Sequence, residues 1–273
     1  MKASRSVWLF TLGNEVVQGR VVNTNASYLG RRLTLLGFEV WGNISLVDDV
    51  SLVTEFLKYV MNRKPALIVT TGGLGPTYDD RTLEAVAKAA GLKLVLNEEA
   101  LKMVREKYSE KGFELTEDRV KMAYLPEGGI PIPNSVGTAP GCWLEVSGTV
   151  IVSLPGVPRE LEAMWENWVE PRLRKLLPEI HVEEYMFRVI GVPESSVAPI
   201  VKRILKIYDN VYIKTHPKGH EIKAPILDVY VMAVSGNSEE ARRTVNEVVA
   251  RLTSELKGLG GHVEDSLTRN KAE

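Results

Sequence analysis

The feature that most restricts the fold is the way hydrophobic periodicity changes between residues 7 and 69. Val7-Trp8-Leu9-Phe10-Thr11-Leu12 is a short continuous apolar run closed by Gly13, the pattern of a strand covered on both faces. After Asn23 or Thr24, either of which suits a helix N-cap, Ala26, Leu29, Leu33 and Leu36 recur at three- and four-residue spacing until Gly37. A second strand is predicted over 38–46. A helix follows over 51–63, with Leu52, Val53, Phe56, Leu57, Val60 and Met61 on one stripe, and a third strand over 66–69. A β-α-β-α-β order with such connections implies parallel pairing through right-handed crossovers. Helices then cover both faces of a doubly wound sheet, and function belongs at the strand ends.

The same reading predicts a helix around 83–90, helices over 98–111 and 116–124, a buried strand over 150–154 and a long helix from Pro158 limited by Pro178. That helix would bury Leu161, Met164, Trp165, Trp168 and Leu173, so the tryptophans read as core. Beyond Glu179 come a strand (184–192), a helix (195–207), two strands (210–214 and 226–234), a helix (239–257) and a short strand (261–264). This β-α-β-β-α-β order is that of a small split-βαβ, α+β domain. A boundary near Pro178 gives domains 1–178 and 179–273.

Charge and cysteine content remove several function classes. With 34 basic against 35 acidic residues, the net charge of −1 supplies no field to hold a polyanion, so nucleic acid is not the expected partner. The single cysteine, Cys142, excludes an internal disulfide and a cysteine-rich metal site; a reducing, cytoplasmic setting is expected, and Cys142 reads as packing. The N-terminal apolar run is broken by Gly13, Asn14 and Glu15, too soon for a signal core or a membrane span. The four histidines are scattered and do not suggest a metal site.

The strongest chemical signal is Thr70-Thr71-Gly72-Gly73-Leu74-Gly75-Pro76-Thr77-Tyr78-Asp79-Asp80, between an apolar strand and a helix. Its glycines free the backbone to turn N–H groups toward an anion, and the following helix adds the positive end of its dipole. A tight turn alone would account for a Gly-Gly pair, but not for two hydroxyl residues before it and two carboxylates after it. The loop is neither a Walker loop nor a dinucleotide fingerprint. Asp79 and Asp80 are candidate metal ligands, since magnesium needs only one or two carboxylates plus water, although a helix cap is the simpler use of either. Asp48-Asp49 falls at the same sheet edge, one crossover away, with capping again the alternative. Glu15, Asn23 and Asn25 leave the first strand there. Two further stretches are candidate binding loops: 131–141, containing Asn134, Gly137, Thr138 and Ala139, and the strand-to-helix turn around Gly156.

As an ordered set, Gly13-x-Glu15, Gly19-x-x-x-Asn23-Thr24-Asn25, Thr70–Thr77 with Asp79-Asp80-x-Thr82-x-Glu84-Ala85, Asn134-x-x-Gly137-Thr138-Ala139-Pro140-Gly141 and Leu154-Pro155-Gly156-x-Pro158-x-Glu160 resemble the N-terminal domain of the CinA family, within the MoaB/MogA-like molybdopterin-binding superfamily. The Gly-Gly-Leu-Gly sequence favours the CinA branch over enzymes that tend to carry Gly-Gly-Thr-Gly, and Asn14 departs from the Asp or Thr frequent in relatives. The resemblance implies a three-layer α/β/α, mostly parallel fold. It implies a site of the Gly loop, Asp48, Asp80 and the Asn134–Gly141 loop, and metal-dependent (Mg, Mn or Co) cleavage of ADP-ribose or a similar nucleotide diphosphate. Its alternative is molybdopterin binding and adenylylation, with residues resembling Asp48 and Asp80 in the chemistry; a non-catalytic nucleotide or pterin sensor is a third reading. Full-length CinA proteins add a nicotinamide-mononucleotide deamidase domain for which this sequence has no room, so that activity is not expected. The expected partners are a small nucleotide or pterin and a second copy in a dimer, to which the second domain is assigned.

Overall fold

The computed structural model describes residues 5–110, 112–176 and 180–268. The chain divides into two compact units after Leu176; the expected boundary at Pro178 lies outside the described residues. No described helix is long and apolar enough to cross a membrane.

The first unit runs β1 (Ser6–Leu12), α1 (Asn14–Val17), α2 (Thr24–Leu35), β2 (Glu39–Leu46), α3 (Val50–Met61), β3 (Leu67–Thr71), α4 (Thr82–Ala90), β4 (Leu94–Leu96), α5 (Glu98–Ser109), α6 (Glu117–Val120), β5 (Tyr124–Pro126), β6 (Ile130–Ile132), β7 (Gly141–Val146), β8 (Thr149–Leu154), α7 (Pro158–Met164) and α8 (Glu170–Leu176). Its main sheet has the order β2-β1-β3-β8-β7-β6, parallel from β2 to β8 and antiparallel on either side of β7. Alternation along the strands sends Phe10, Ile68 and Ile151 into one core with Val53 and Leu57 of α3, Val86 of α4 and Val104 of α5. Leu29 and Leu33 of α2 are fully buried outside that core. Each fully buried Leu, Ile or Phe in such a core contributes roughly 1.5–3 kcal/mol.

The sheet, its flanking helices and most element boundaries agree with the reading from sequence, with three differences. The stretch read as one irregular loop over 131–141 contains the end of β6 and the start of β7, so the loop proper is 133–140. Strand β7 joins β8 through Ser147-Gly148, both at positive φ (52° and 81°), as a two-residue hairpin turn requires. The helix expected over 116–124 is only α6 and one 3₁₀ turn, because Tyr124 begins β5. The long final helix opens into a π turn over Trp165–Val169. Pro171 lies two residues beyond it, and its missing N–H cannot serve a regular α ladder there. Trp165 is buried and donates to Glu170 Oε2 at 2.9 Å, and Trp168 meets Trp143 edge-on at 5.8 Å. Cys142 is buried, which pushes its thiol up to about 12 and leaves it unreactive.

The second unit comprises β9 (His181–Ile190), α9 (Glu194–Ile204), β10 (Val211–Pro217), β11 (Ile226–Ser235), α10 (Ser238–Gly258) and β12 (His262–Thr268). Its antiparallel sheet has the order β10-β11-β9-β12, the split-βαβ arrangement. Phe187, Val229 and Val231 pack on Val197, Ile200, Val245 and Leu252 of the two helices.

Candidate functional site

The order β2-β1-β3 makes the carboxyl ends of β1 and β3 a topological switch point, where chains leave in opposite directions and open a crevice. Gly13 N–H donates to the Leu46 carbonyl at 3.1 Å, tying the exits of β1 and β2. Asn14 N–H donates to Asp48 Oδ2 at 3.0 Å. The adjacent aspartates therefore divide their work. Asp49 caps α3, accepting from Leu52 N–H at 2.7 Å, whereas Asp48 caps no helix; both line a hollow with Leu12, Asp79 and Thr82. The Glu15 carboxylate folds back over Gly13, where a Cβ would lie 2.6 Å from Oε1.

The Gly loop is held from behind. Gly72 N–H donates to the Leu154 carbonyl at 3.0 Å, the Thr82 hydroxyl donates to the Gly72 carbonyl at 2.8 Å, and Thr82 N–H donates to the Gly73 carbonyl at 3.1 Å. Among the described residues, the N–H groups of Gly73, Leu74 and Gly75 donate to no protein acceptor. They stand at the N-terminus of α4, whose dipole favours an anion there. Thr77 N–H donates to Asp80 Oδ2 at 2.9 Å, and its hydroxyl lies 2.5 Å from the same oxygen and 2.6 Å from Asp79 Oδ1. That hydroxyl, with the Lys121 ammonium as a smaller influence, holds the Asp79 carboxyl below its usual range. Lys121 Nζ also donates to the Thr77 carbonyl, and the loop faces a cleft of about 310 Å³ lined with Tyr78, Arg81, Lys121 and Tyr124. Sequence reasoning missed Lys121, from the 3₁₀ turn before β5, and Tyr124, the first residue of β5; only the three-dimensional packing of this segment on the loop exposes their role.

Burial raises the Asp48 carboxyl above 3.8, and the charges of Glu15, Asp79 and Asp80 add to the effect against the Asn14 N–H. Four carboxylates predicted from sequence thus act on one neighbourhood. In linkage terms a raised folded-state value makes ionised Asp48 a burden on stability, absent below about 3.8 and entering as pH rises through the raised value. Asp48→Asn, whose amide oxygen still accepts from Asn14, is accordingly expected to unfold at a higher temperature than the parent at neutral pH. The difference should vanish in acid, as calorimetric scans across pH would register.

The other predicted residues divide into groups. Thr70 and Thr71 are buried in β3 below the loop, with Thr70 Oγ1 enclosed and unpartnered. Asn23 caps α2 through Ala26 N–H at 3.1 Å and donates to Thr11 Oγ1 at 2.9 Å, so its amide braces the strand ends. Asn25 donates to the Gly156 carbonyl at 2.8 Å, while its Oδ1 is buried without a partner. Asn134 is consumed by its loop and by α7: Nδ2 donates to the Ala139 carbonyl and to Glu160 Oε2 of α7, and Oδ1 accepts from Val136 and Gly137 N–H. It shapes the segment carrying Gly137 and Thr138, which are partly exposed, whereas Ala139 is buried.

Oδ1 of Asp48 and Oδ1 of Asp80 accept no hydrogen bond among the described residues and are the oxygens open to a proton or a cation. Among the described residues no group of three His, Cys, Asp or Glu side chains forms a metal site. A cation here would fill its shell with ligand phosphate and water.

Residues 8–175 match the family model described as a probable molybdopterin binding domain. A protein of Aeropyrum pernix is 45% identical over 265 residues, covering 97% of this chain and 98% of its own. One of Pyrobaculum arsenaticum is 46% identical over 254 residues, covering 93% and 96%. Among solved structures, CinA of Thermoplasma acidophilum, described as of unknown function, is 39% identical, covers 63% of this chain and 99% of its own, and has a TM-score of 0.59. The chain therefore belongs to the family described as a probable molybdopterin binding domain, as a CinA-like member.

Proposed function

We propose that the switch-point site hydrolyses the pyrophosphate of ADP-ribose or a similar nucleotide diphosphate. The observation that carries this reading is the set of unpartnered N–H groups at Gly73, Leu74 and Gly75 in a cleft shared with Asp80, whose charge reaches Asp48. Donors fixed in advance at a helix N-terminus neutralise phosphate oxygens without reorganising. Asp80 would hold a divalent cation, which would supply charge neutralisation on the phosphate oxygens. Asp48, whose carboxyl is held above the usual carboxylate range by burial and neighbouring charge, is the proton acceptor, and it takes a proton from water as the water oxygen bonds to phosphorus. The bond between phosphorus and the bridging oxygen breaks, giving AMP and ribose 5-phosphate. Thr77 keeps Asp80 oriented through its N–H and hydroxyl.

The test is turnover of ADP-ribose by the purified protein with magnesium, manganese or cobalt, with Asp80→Ala as control. Metal-dependent release of both products, lost in the variant, is the expected result. The match of residues 8–175 to a molybdopterin binding domain supports a second reading, adenylylation of molybdopterin. Absence of ADP-ribose turnover together with ATP-dependent modification of bound molybdopterin would select it.

A further inference from the structure

The second unit carries a surface unrelated to this chemistry. Strand β10 lies at the edge of its sheet. Val234 N–H donates to the Asn210 carbonyl at 3.0 Å and Lys218 N–H donates to the Ile226 carbonyl at 2.8 Å, with continuous register between them. In an antiparallel ladder, even-numbered residues therefore bond to β11, and residues 211, 213 and 215 turn their N–H and C=O groups outward. Along this edge α9 and β10 bound a groove of about 530 Å³, lined by Val201, Lys202, Leu205, Lys206, Ile213 and Lys214 among others. Lys202 of α9 and Lys206 in the turn that follows it both line the groove, whereas Arg203 between them pairs with Glu255 of α10. Among the described residues none of Lys202, Lys206 and Lys214 has an acidic partner.

We infer that this groove docks an extended acidic peptide segment of a partner protein, added to β10 as a further strand. The edge supplies main-chain pairing, Val201, Leu205 and Ile213 receive alternate apolar side chains, and the lysines select carboxylates. A second copy of this chain would bring an equally basic rim, so like charge opposes self-pairing across the groove. A single-stranded nucleic acid would meet the charge but leave the outward N–H and C=O groups unpaired.

The probe is an eight-residue peptide alternating valine and glutamate, titrated into the full chain while the amide signals of Val211, Ile213 and Thr215 are followed by NMR. Binding should protect those amides, weaken roughly tenfold or more in Lys202→Glu/Lys206→Glu, and weaken further in high salt. A peptide N-methylated on its pairing edge, which leaves the protein untouched, should not bind. No binding, equal binding of the N-methylated peptide, tighter binding of an oligonucleotide, or dimerisation through β10 would overturn the inference.

Discussion

Gly72→Ala is expected to destabilise the first unit by roughly 3 kcal/mol or more. Gly72 has φ +97°, a conformation L-residues rarely adopt, and a Cβ built there lies 2.1 Å from the Leu12 carbonyl oxygen. The obstacle is backbone, not the end of a flexible side chain. Strands β1 and β3 pair directly at Thr11 and Thr71, so relief would mean parting their ends at the switch point. Gly91, also at positive φ but with open space around its Cβ position, is the control: Gly91→Ala should carry only the conformational penalty. Chemical denaturation of both variants checks the pair, and an equal shift of the two midpoints would count against the close-approach explanation.

Asp48→Asn is expected to lower ADP-ribose turnover by about 10²–10⁴-fold while leaving the fold intact. Asparagine keeps the acceptor for Asn14 N–H but cannot take a proton. The neighbouring Asp49→Asn should stay close to the parent, because Asp49 is a helix cap and asparagine caps equally well. Two adjacent residues of one type thus separate a chemical role from a structural one. Equal losses at both positions in a kinetic comparison would mean that the Asp48 effect is structural.

Much of this was legible in the sequence because period and punctuation agree. Apolar strands ending in Gly13 and in the Thr70–Gly75 segment, with amphipathic stretches between, leave few topologies open. That topology alone brings Glu15, Asp48, Asp79 and Asp80 to one edge, where their mutual influence on Asp48 is found. Strand β7 was hidden because its start, Pro140-Gly141, reads as loop and its end relies on Ser147 taking a positive φ that residue type does not advertise. Amides were the other difficulty. Asn134 and Asn23 have the chemistry of ligand contacts, yet each spends its hydrogen bonds on its own segment or on neighbouring strand ends, which spacing cannot distinguish from binding. Lys121 lies 44 positions from Thr77 and reaches the loop only through tertiary packing.

The most direct measurement is a crystal structure of the Asp48→Asn variant with ADP-ribose and magnesium. The pyrophosphate oxygens should lie on the N–H groups of Gly73, Leu74 and Gly75, with Asp80 on the side of the scissile bridge. A nucleotide bound away from the Gly loop, with those N–H groups facing solvent, would contradict the assignment of this switch point as the phosphate site.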